Sequence, residues 1–250
     1  MELISLEIKD RIAVMTLCNE QALNAISVAM LREMEEALDS LQDAAVLVIT
    51  GAGEKAFAAG ADIAGMKDFT PEQAKEYSRF GNRVFRRIET LPIPVIAAVN
   101  GYALGGGLEL AMSADIRVMA DSAAVGQPEA SLGMTPGWGG TQRLPKLIGK
   151  AAAKYLLFTC GTIKAERAYQ LGLAEDVVPK AELMDTVTVL AKKIASMPPS
   201  ALRNAKQAVN EGLEVGIDEG LELEANTYAA CFTTDDPKSL MTAFLERRKK

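Results

Sequence analysis

Apolar and polar residues alternate from the start of the chain. Ile4, Leu6 and Ile8 stand between Ser5, Glu7 and Lys9, the period-two pattern of a half-buried strand. After a turn at Asp10-Arg11, the run from Ile12 to Leu17 predicts a second strand, and the two read as a hairpin. From about Ser27 the period lengthens, and Leu31, Met34, Leu38 and Leu41 fall on one helical face. Val46 to Thr50 is a continuous apolar run, the mark of a strand covered on both faces. Thr70-Pro71-Glu72-Gln73 carries a capping Thr, a first-turn Pro and a capping-box Gln. The predicted helix behind it has one apolar stripe, Ala74, Tyr77, Phe80, Val84, Ile88 and Leu91. Pro92 and Pro94 end it, and Val95–Val99 and Asp115–Ala120 read as further strands.

Strand, small-residue loop and helix recur. Val46 to Ile49 leads to Ala59-Gly60-Ala61, and Val95 to Val99 leads to Gly105-Gly106-Gly107, a coarse repeat of β-β-α units. From about Gly149 helices dominate. One carries Leu156-Leu157-Phe158, a short one begins at Ala165 and stops at Gly172, and others cover Ala181 to Ser196, Ala201 to Asn210 and Leu221 to Tyr228. The last starts at Asp236 and ends in basic residues, which suit a helix C-terminus. The expected fold class is α/β, with a core over residues 1–190 and a helical region over 191–250 that packs on neighbouring subunits.

Composition narrows the function. The chain has 250 residues, 49% hydrophobic and 24% charged, enough for one large core. A net charge of −6 argues against a nucleic-acid binder driven by overall charge. The local exception is Arg79, Arg83, Arg86 and Arg87 on one helix, read first as a solvated face and, as a rival, as an RNA-binding or scaffolding surface. There is no histidine, which removes Ser-His-Asp and Cys-His arrangements, His-ligated zinc and His general bases. Cys18, Cys160 and Cys231 lack metal or disulfide spacing and read as single buried thiols of a reducing compartment. The N-terminus lacks a signal-peptide plan, and no apolar run approaches the roughly 18 residues of a membrane span. The expected location is the cytoplasm, with no membrane partner and no metal.

The chemistry concentrates between Gly105 and Glu129. Three glycines precede a helix-forming run, so bare N–H groups lie at a helix N-terminus that favours negative charge. No Gly-Lys-Ser/Thr follows, which excludes a P-loop. Ala61 and Gly106 each follow a strand, and their N–H groups could converge on one carbonyl oxygen, each worth about 3–4 kcal/mol to a developing oxyanion. On a thioester this stabilises an enolate. Taken singly, Glu109 reads as a solvated helix residue and Glu129 as a loop residue. Taken together, one protonated and one ionised, they form an acid–base pair.

The motifs combine into a resemblance. Ala22-Leu23-Asn24-Ala25, Phe57 to Asp62, Pro94 to Leu110, Gly126-Gln127-Pro128-Glu129 and Leu132 to Leu144 together resemble the enoyl-CoA hydratase (crotonase) family along essentially the whole chain, and look closest to its short-chain members, the 3-hydroxybutyryl-CoA dehydratases. The resemblance implies a spiral of β-β-α turns and a C-terminal helical region used for trimerisation, with trimers commonly paired as hexamers. It implies reversible syn hydration of short trans-2-enoyl-CoA, with Δ3,Δ2-enoyl-CoA isomerase as the alternative. Ala61 and Gly106 match the oxyanion donors, Glu109 the base on water, Glu129 the proton donor to C2, and Gly137 a backbone donor to the reacting water. CoA contacts are implied for Ala22, Leu23, Ala59, Ala61, Asp62, Ile63, Tyr102 and Leu104, and for Phe244 and Arg247 on a neighbouring subunit. CoA enters as part of the substrate, with no separate cofactor. Gln21, Ala64 and Arg247 depart from the lysines frequent in relatives, which puts the CoA-phosphate contacts in question. Trp138 either shortens the acyl pocket or is ordinary packing.

Overall fold

The alternation at the N-terminus becomes a hairpin in which β1 (Ile4–Lys9) and β2 (Ile12–Leu17) pair antiparallel with Ile4 opposite Leu17. The computed structural model describes residues 1–248. Helix α1 (Val28–Asp39) begins where Ser27 accepts the Met30 N–H at 3.2 Å and buries Leu31, Met34 and Leu38 of the expected face.

Three β-β-α units follow. The first is β3 (Val46–Gly51), β4 (Ala56–Ala58) and α2 (Pro71–Glu89). The second is β5 (Val95–Val99), β6 (Tyr102–Leu104) and α3 (Gly106–Ser113). The third is β7 (Ile116–Ala120), β8 (Ala124–Gly126) and, after a 3-10 turn at Glu129–Leu132, α4 (Gly140–Ile148). Then come α5 (Lys150–Thr159), β9 (Thr162–Lys164), α6 (Ala165–Gln170), β10 (Asp176–Val178), α7 (Leu183–Ala195), α8 (Pro199–Gly212), α9 (Ile217–Cys231) and α10 (Asp236–Arg247).

The first strand of each unit joins a six-stranded sheet ordered β1-β2-β3-β5-β7-β10, and the second joins a four-stranded sheet ordered β4-β6-β8-β9. β3 and β5 are buried throughout, as their unbroken apolar runs predict. The second layer positions the site. β4, β6 and β8 lie side by side and parallel, with Ala58 beside Ala103 and Leu104 beside Gly126. The segments leaving their C-terminal ends therefore emerge along one edge of the sheet: 59–62, 105–107 and 127–129. Parallel sheets place ligands at such an edge.

Several expectations shift. The C-terminal helices begin at Gly140, nine residues before the expected start at Gly149, because Gly139, Gly140 and Pro145 hide α4 from a propensity reading. Residue 190 falls inside α7, whose Leu183, Val187 and Ala191 are buried, so this helix packs with the sheet. None of the three cysteines is fully buried; each is half-buried and free. The arginine face of α2 is paired with acids: Arg79 with Glu76 at 2.7 Å, Arg83 with Glu35 at 3.3 Å, Arg86 with Glu89 at 2.8 Å and Arg87 with Asp39 at 2.5 Å. That is a mixed-charge face rather than an uncompensated basic patch. Among the described residues no helix is long and apolar enough to cross a membrane.

Candidate active site

A cavity of about 400 Å³ opens where the three segments meet, and Ala61, Gly106, Glu109 and Glu129 all line it. The glycine run supplies the backbone shape this requires. Gly105 has φ 49° and ψ −123°, a conformation closed to other residues, and a Cβ there would stand 2.8 Å from Glu129 Oε1. The Gly105 N–H donates to Gly126 O at 2.9 Å, which ties the first turn of α3 to β8. A Cβ on Gly106 would lie 3.5 Å from the Ala61 nitrogen and 2.5 Å from the Trp138 ring. The Ala61 and Gly106 backbones are thus close neighbours. Among the described residues neither N–H has a backbone acceptor, and Gly106 is the first residue of α3, where no intrahelical acceptor exists. Two N–H groups without a backbone acceptor thus stand side by side in the cavity lining.

Glu109 is 2% exposed in the first turn of α3. Its Oε1 accepts two backbone N–H bonds, from Trp138 at 2.8 Å and Gly140 at 2.7 Å. Burial pushes its carboxyl above the ordinary range, while those two donors and the Arg143 charge pull back toward the ionised form. Glu129, at the start of the 3-10 turn after β8, is raised to about 7, first by burial and further by the Glu109 charge, against its own backbone N–H. Burial thus raises both carboxyls, and of the two it is Glu109 whose oxygen receives a pair of backbone donors that favour the anion.

Sequence reasoning gave Gln127 no role, although it stands two residues before Glu129 in a quoted motif. Its buried amide lies 2.8 Å and 3.0 Å from Glu129 Oε1 and Oε2. With its NH2 turned to the carboxylate it donates; turned the other way, its oxygen accepts the proton that Glu129 holds. Trp138 also exceeds its expected part. Its indole is 2% exposed, with Tyr77 at 5.1 Å and Phe85 at 5.5 Å, and it is seated against Gly81 and Gly106. It packs and forms a wall of the cavity at once. Tyr77 and Phe69, 5.4 Å apart, extend that wall. Tyr77 was legible only as part of the apolar stripe.

The expected CoA contacts divide. Ala59 and Ile63 line the cavity. Ala22 and Leu23 do not, but they lie beside it, because the Ala59 N–H donates to Leu23 O at 3.0 Å and Ile26 bridges Ala61. Asp62 caps the 3-10 turn Ile63–Gly65 and accepts the Ala64 N–H at 3.1 Å. Tyr102 and Leu104 lie on β6, behind the glycine turn and away from the lining, with Tyr102 47% exposed. Gly137 lines the cavity with its carbonyl held by α2. Phe244 and Arg247 stand exposed on α10, none of whose residues lines this chain's cavity.

Because Glu129 is raised in the folded state, it stabilises the fold below its unfolded value near 4.5, and that contribution is lost as pH rises through about 7. Glu129→Gln is therefore expected to raise thermal stability over wild type at pH 8, by about 1–2 kcal/mol after solvent screening of a partly exposed group. The gain should shrink toward zero near pH 5. Melting curves at both pH values check this, and equal Tm differences at the two would contradict it.

Comparison with known proteins agrees with this geometry. The family model described as "Enoyl-CoA hydratase/isomerase" matches residues 7–250. The chain is 48% identical to the short-chain-enoyl-CoA hydratase of Clostridium acetobutylicum, over 98% of this chain and 95% of that one. It is 46% identical to the crotonyl-CoA hydratase of Syntrophomonas wolfei, over 99% and 96%. The crystal structure of an enoyl-CoA hydratase from Bacillus anthracis superposes with a TM-score of 0.94 at 39% identity, covering 98% of this chain and 96% of that one. With a match this extensive in sequence and in fold, the chain belongs to the enoyl-CoA hydratase/isomerase family.

Proposed function

We propose that this chain is an enoyl-CoA hydratase that adds water reversibly and syn across C2–C3 of short trans-2-enoyl-CoA esters. The observation that carries the reading is the placement of two carboxylates in one cavity with the Ala61 and Gly106 N–H groups, only one of them, Glu109, holding two backbone N–H donors from the 137–140 segment. The thioester oxygen accepts from those two N–H groups. Glu109, ionised, takes a proton from a water as its oxygen attacks C3. Charge moves through C2 to the thioester oxygen, where the fixed donors stabilise the enolate. Glu129, protonated, then delivers its proton to C2. The product has gained one water, and Glu109 and Glu129 have exchanged protonation states until the proton passes back. The chain's own groups carry every step, so the reading needs no cofactor beyond the CoA of the substrate. An isomerase can manage with one carboxylate; the second favours hydration.

CoA runs along Ala22, Leu23 and Ala59 to Ile63, where Leu23 and Ile63 expose apolar side chains. Leu213, Ile217, Leu221, Tyr228, Leu240 and Phe244 are each more than half exposed over the helical tail. A surface of that kind marks an association site. Its occupants are further copies of this chain in a trimer or a pair of trimers, where Phe244 and Arg247 reach a neighbour's CoA. Light scattering giving a monomeric mass would remove this part of the reading. The location proposed is the cytoplasm.

The aromatic wall of Trp138 and Tyr77 sets chain length. Initial rates across enoyl-CoA esters from four to sixteen carbons should fall steeply after the shortest. Trp138→Leu keeps the backbone N–H on Glu109 and opens the wall. At about 0.8 kcal/mol per methylene, it should favour an ester two carbons longer by roughly tenfold relative to wild type. An unchanged ratio would show that the ring only packs.

A further inference from the structure

Ser78 and Asn82 sit one turn apart on α2, and nothing above gives them chemistry. Both point at one atom. Ser78 Oγ donates to Gly137 O at 2.6 Å, and Asn82 Nδ2 donates to the same oxygen at 2.8 Å. That carbonyl belongs to the peptide whose N–H is the Trp138 N–H, which donates to Glu109 Oε1 at 2.8 Å. A peptide is planar, and its C=O and N–H point in opposite directions. Fixing the carbonyl from α2 therefore fixes the direction of the N–H toward Glu109. Two donors on the oxygen also polarise the peptide and strengthen the bond its N–H makes, since chained hydrogen bonds reinforce one another.

The neighbouring peptides are held in the same manner. Arg143 donates to Trp138 O at 3.0 Å, and the Gly139 carbonyl accepts from the Gln142 and Arg143 N–H groups at 2.9 and 2.8 Å as α4 begins. The Gly140 N–H, the second donor to Glu109, thus also leaves a peptide with its carbonyl engaged. The segment 137–140 is an anion nest, and its outer carbonyls are gripped by α2 and α4.

We propose that Ser78 and Asn82 are positioning residues for Glu109, acting through the 137–138 peptide to aim one of its two N–H donors at the carboxylate and so favour its anion. The proposal deepens the reading of Glu109 as the base and rests on it. The charged and titratable groups facing Glu109 are Arg143 from α4, Glu129 from the turn after β8 and Tyr77 from α2. Only Arg143 favours the anion among them, so weakening the nest leaves Glu109 a poorer anion and a worse base at neutral pH. A purely structural role, tying a loop to α2, would lower stability without touching Glu109.

The test uses the full chain. Trp138 is its only tryptophan, so 15N-tryptophan labelling gives one backbone amide signal. In wild type this amide proton is expected far downfield, moving upfield on acidification as Glu109 takes a proton. In Ser78→Ala/Asn82→Ala it should start further upfield, with its midpoint at higher pH. Hydration of crotonyl-CoA should lose about tenfold in kcat for each single change, with KM within about twofold, and the acid limb of the kcat profile should move up in pH. Ser78→Thr, which keeps the hydroxyl, should restore kcat in the Ser78 series. If the double variant does not fold, the single variants are read in the same way. An amide shift and midpoint equal to wild type in a folded variant would overturn the proposal, as would unchanged kcat. The amide readout needs no turnover. A chain that shows the shifts but never hydrates crotonyl-CoA would sink the hydratase reading and leave the positioning role standing.

Discussion

Glu109→Gln is expected to lower kcat for crotonyl-CoA hydration by about 10³-fold, with KM changed by no more than a few-fold, the size of effect that general base catalysis supplies. The substitution isolates the charge. A glutamine at 109 can still turn its oxygen to the Trp138 and Gly140 N–H groups that Glu109 Oε1 now receives at 2.8 and 2.7 Å, so the nest and the α3 turn stay in place. What is lost is an anion able to take a proton from water. Glu129→Gln should cost a similar factor for the complementary reason: an amide cannot deliver to C2 the proton that Glu129 holds with its value near 7. Steady-state rates for both variants check this, and near-wild-type hydration in either would remove that residue from the chemistry. Glu129→Gln should be slower as an enzyme and firmer as a fold above neutral pH, a pairing that a misfolded variant would not show.

Gly106→Ala carries the other large effect, a loss of about 10³-fold in kcat/KM. One missing oxyanion donor typically costs about 10²–10³, and here a single methyl disturbs two features. Its carbon would lie 3.5 Å from the Ala61 nitrogen, in the space where the thioester oxygen accepts, and 2.5 Å from the Trp138 ring. The ring must move, and its backbone N–H holds Glu109. Gly65→Ala is the control: it stands at the edge of the same region, and its added carbon would meet nothing closer than Asp62 Oδ2 at 3.8 Å. Equal activity of the two variants would show that the Gly106 contact does not matter.

Much of this was legible in the chain. β2, β3, β5, α1 and the apolar face of α2 follow from hydrophobic period alone, because each buries a face whose spacing its backbone dictates. Glu109, Glu129, Ala61 and Gly106 were legible through motif, and the structure adds the reason they meet: three parallel three-residue strands deliver their loops to one edge. Those strands are too short to leave a periodic signal. The α4 helix was hidden because Gly139, Gly140 and Pro145 are poor helix residues. Ser78 and Asn82 were missed because polar residues beside an apolar stripe read as solvated, and their common target lies more than fifty residues away. Polar residues at i and i+4 next to a buried stripe are the signal that could have raised them. Gln127 was missed because a buried amide acquires meaning only from its partner.

The measurement that tests the central claim most directly is the fate of crotonyl-CoA in 18O-labelled water with the purified full chain. The account predicts 3-hydroxybutyryl-CoA bearing one heavy oxygen at C3, formed rapidly by wild type and slowed about 10³-fold by Glu109→Gln and by Glu129→Gln. No labelled product from wild type, together with rapid double-bond migration in 3-butenoyl-CoA, would contradict it.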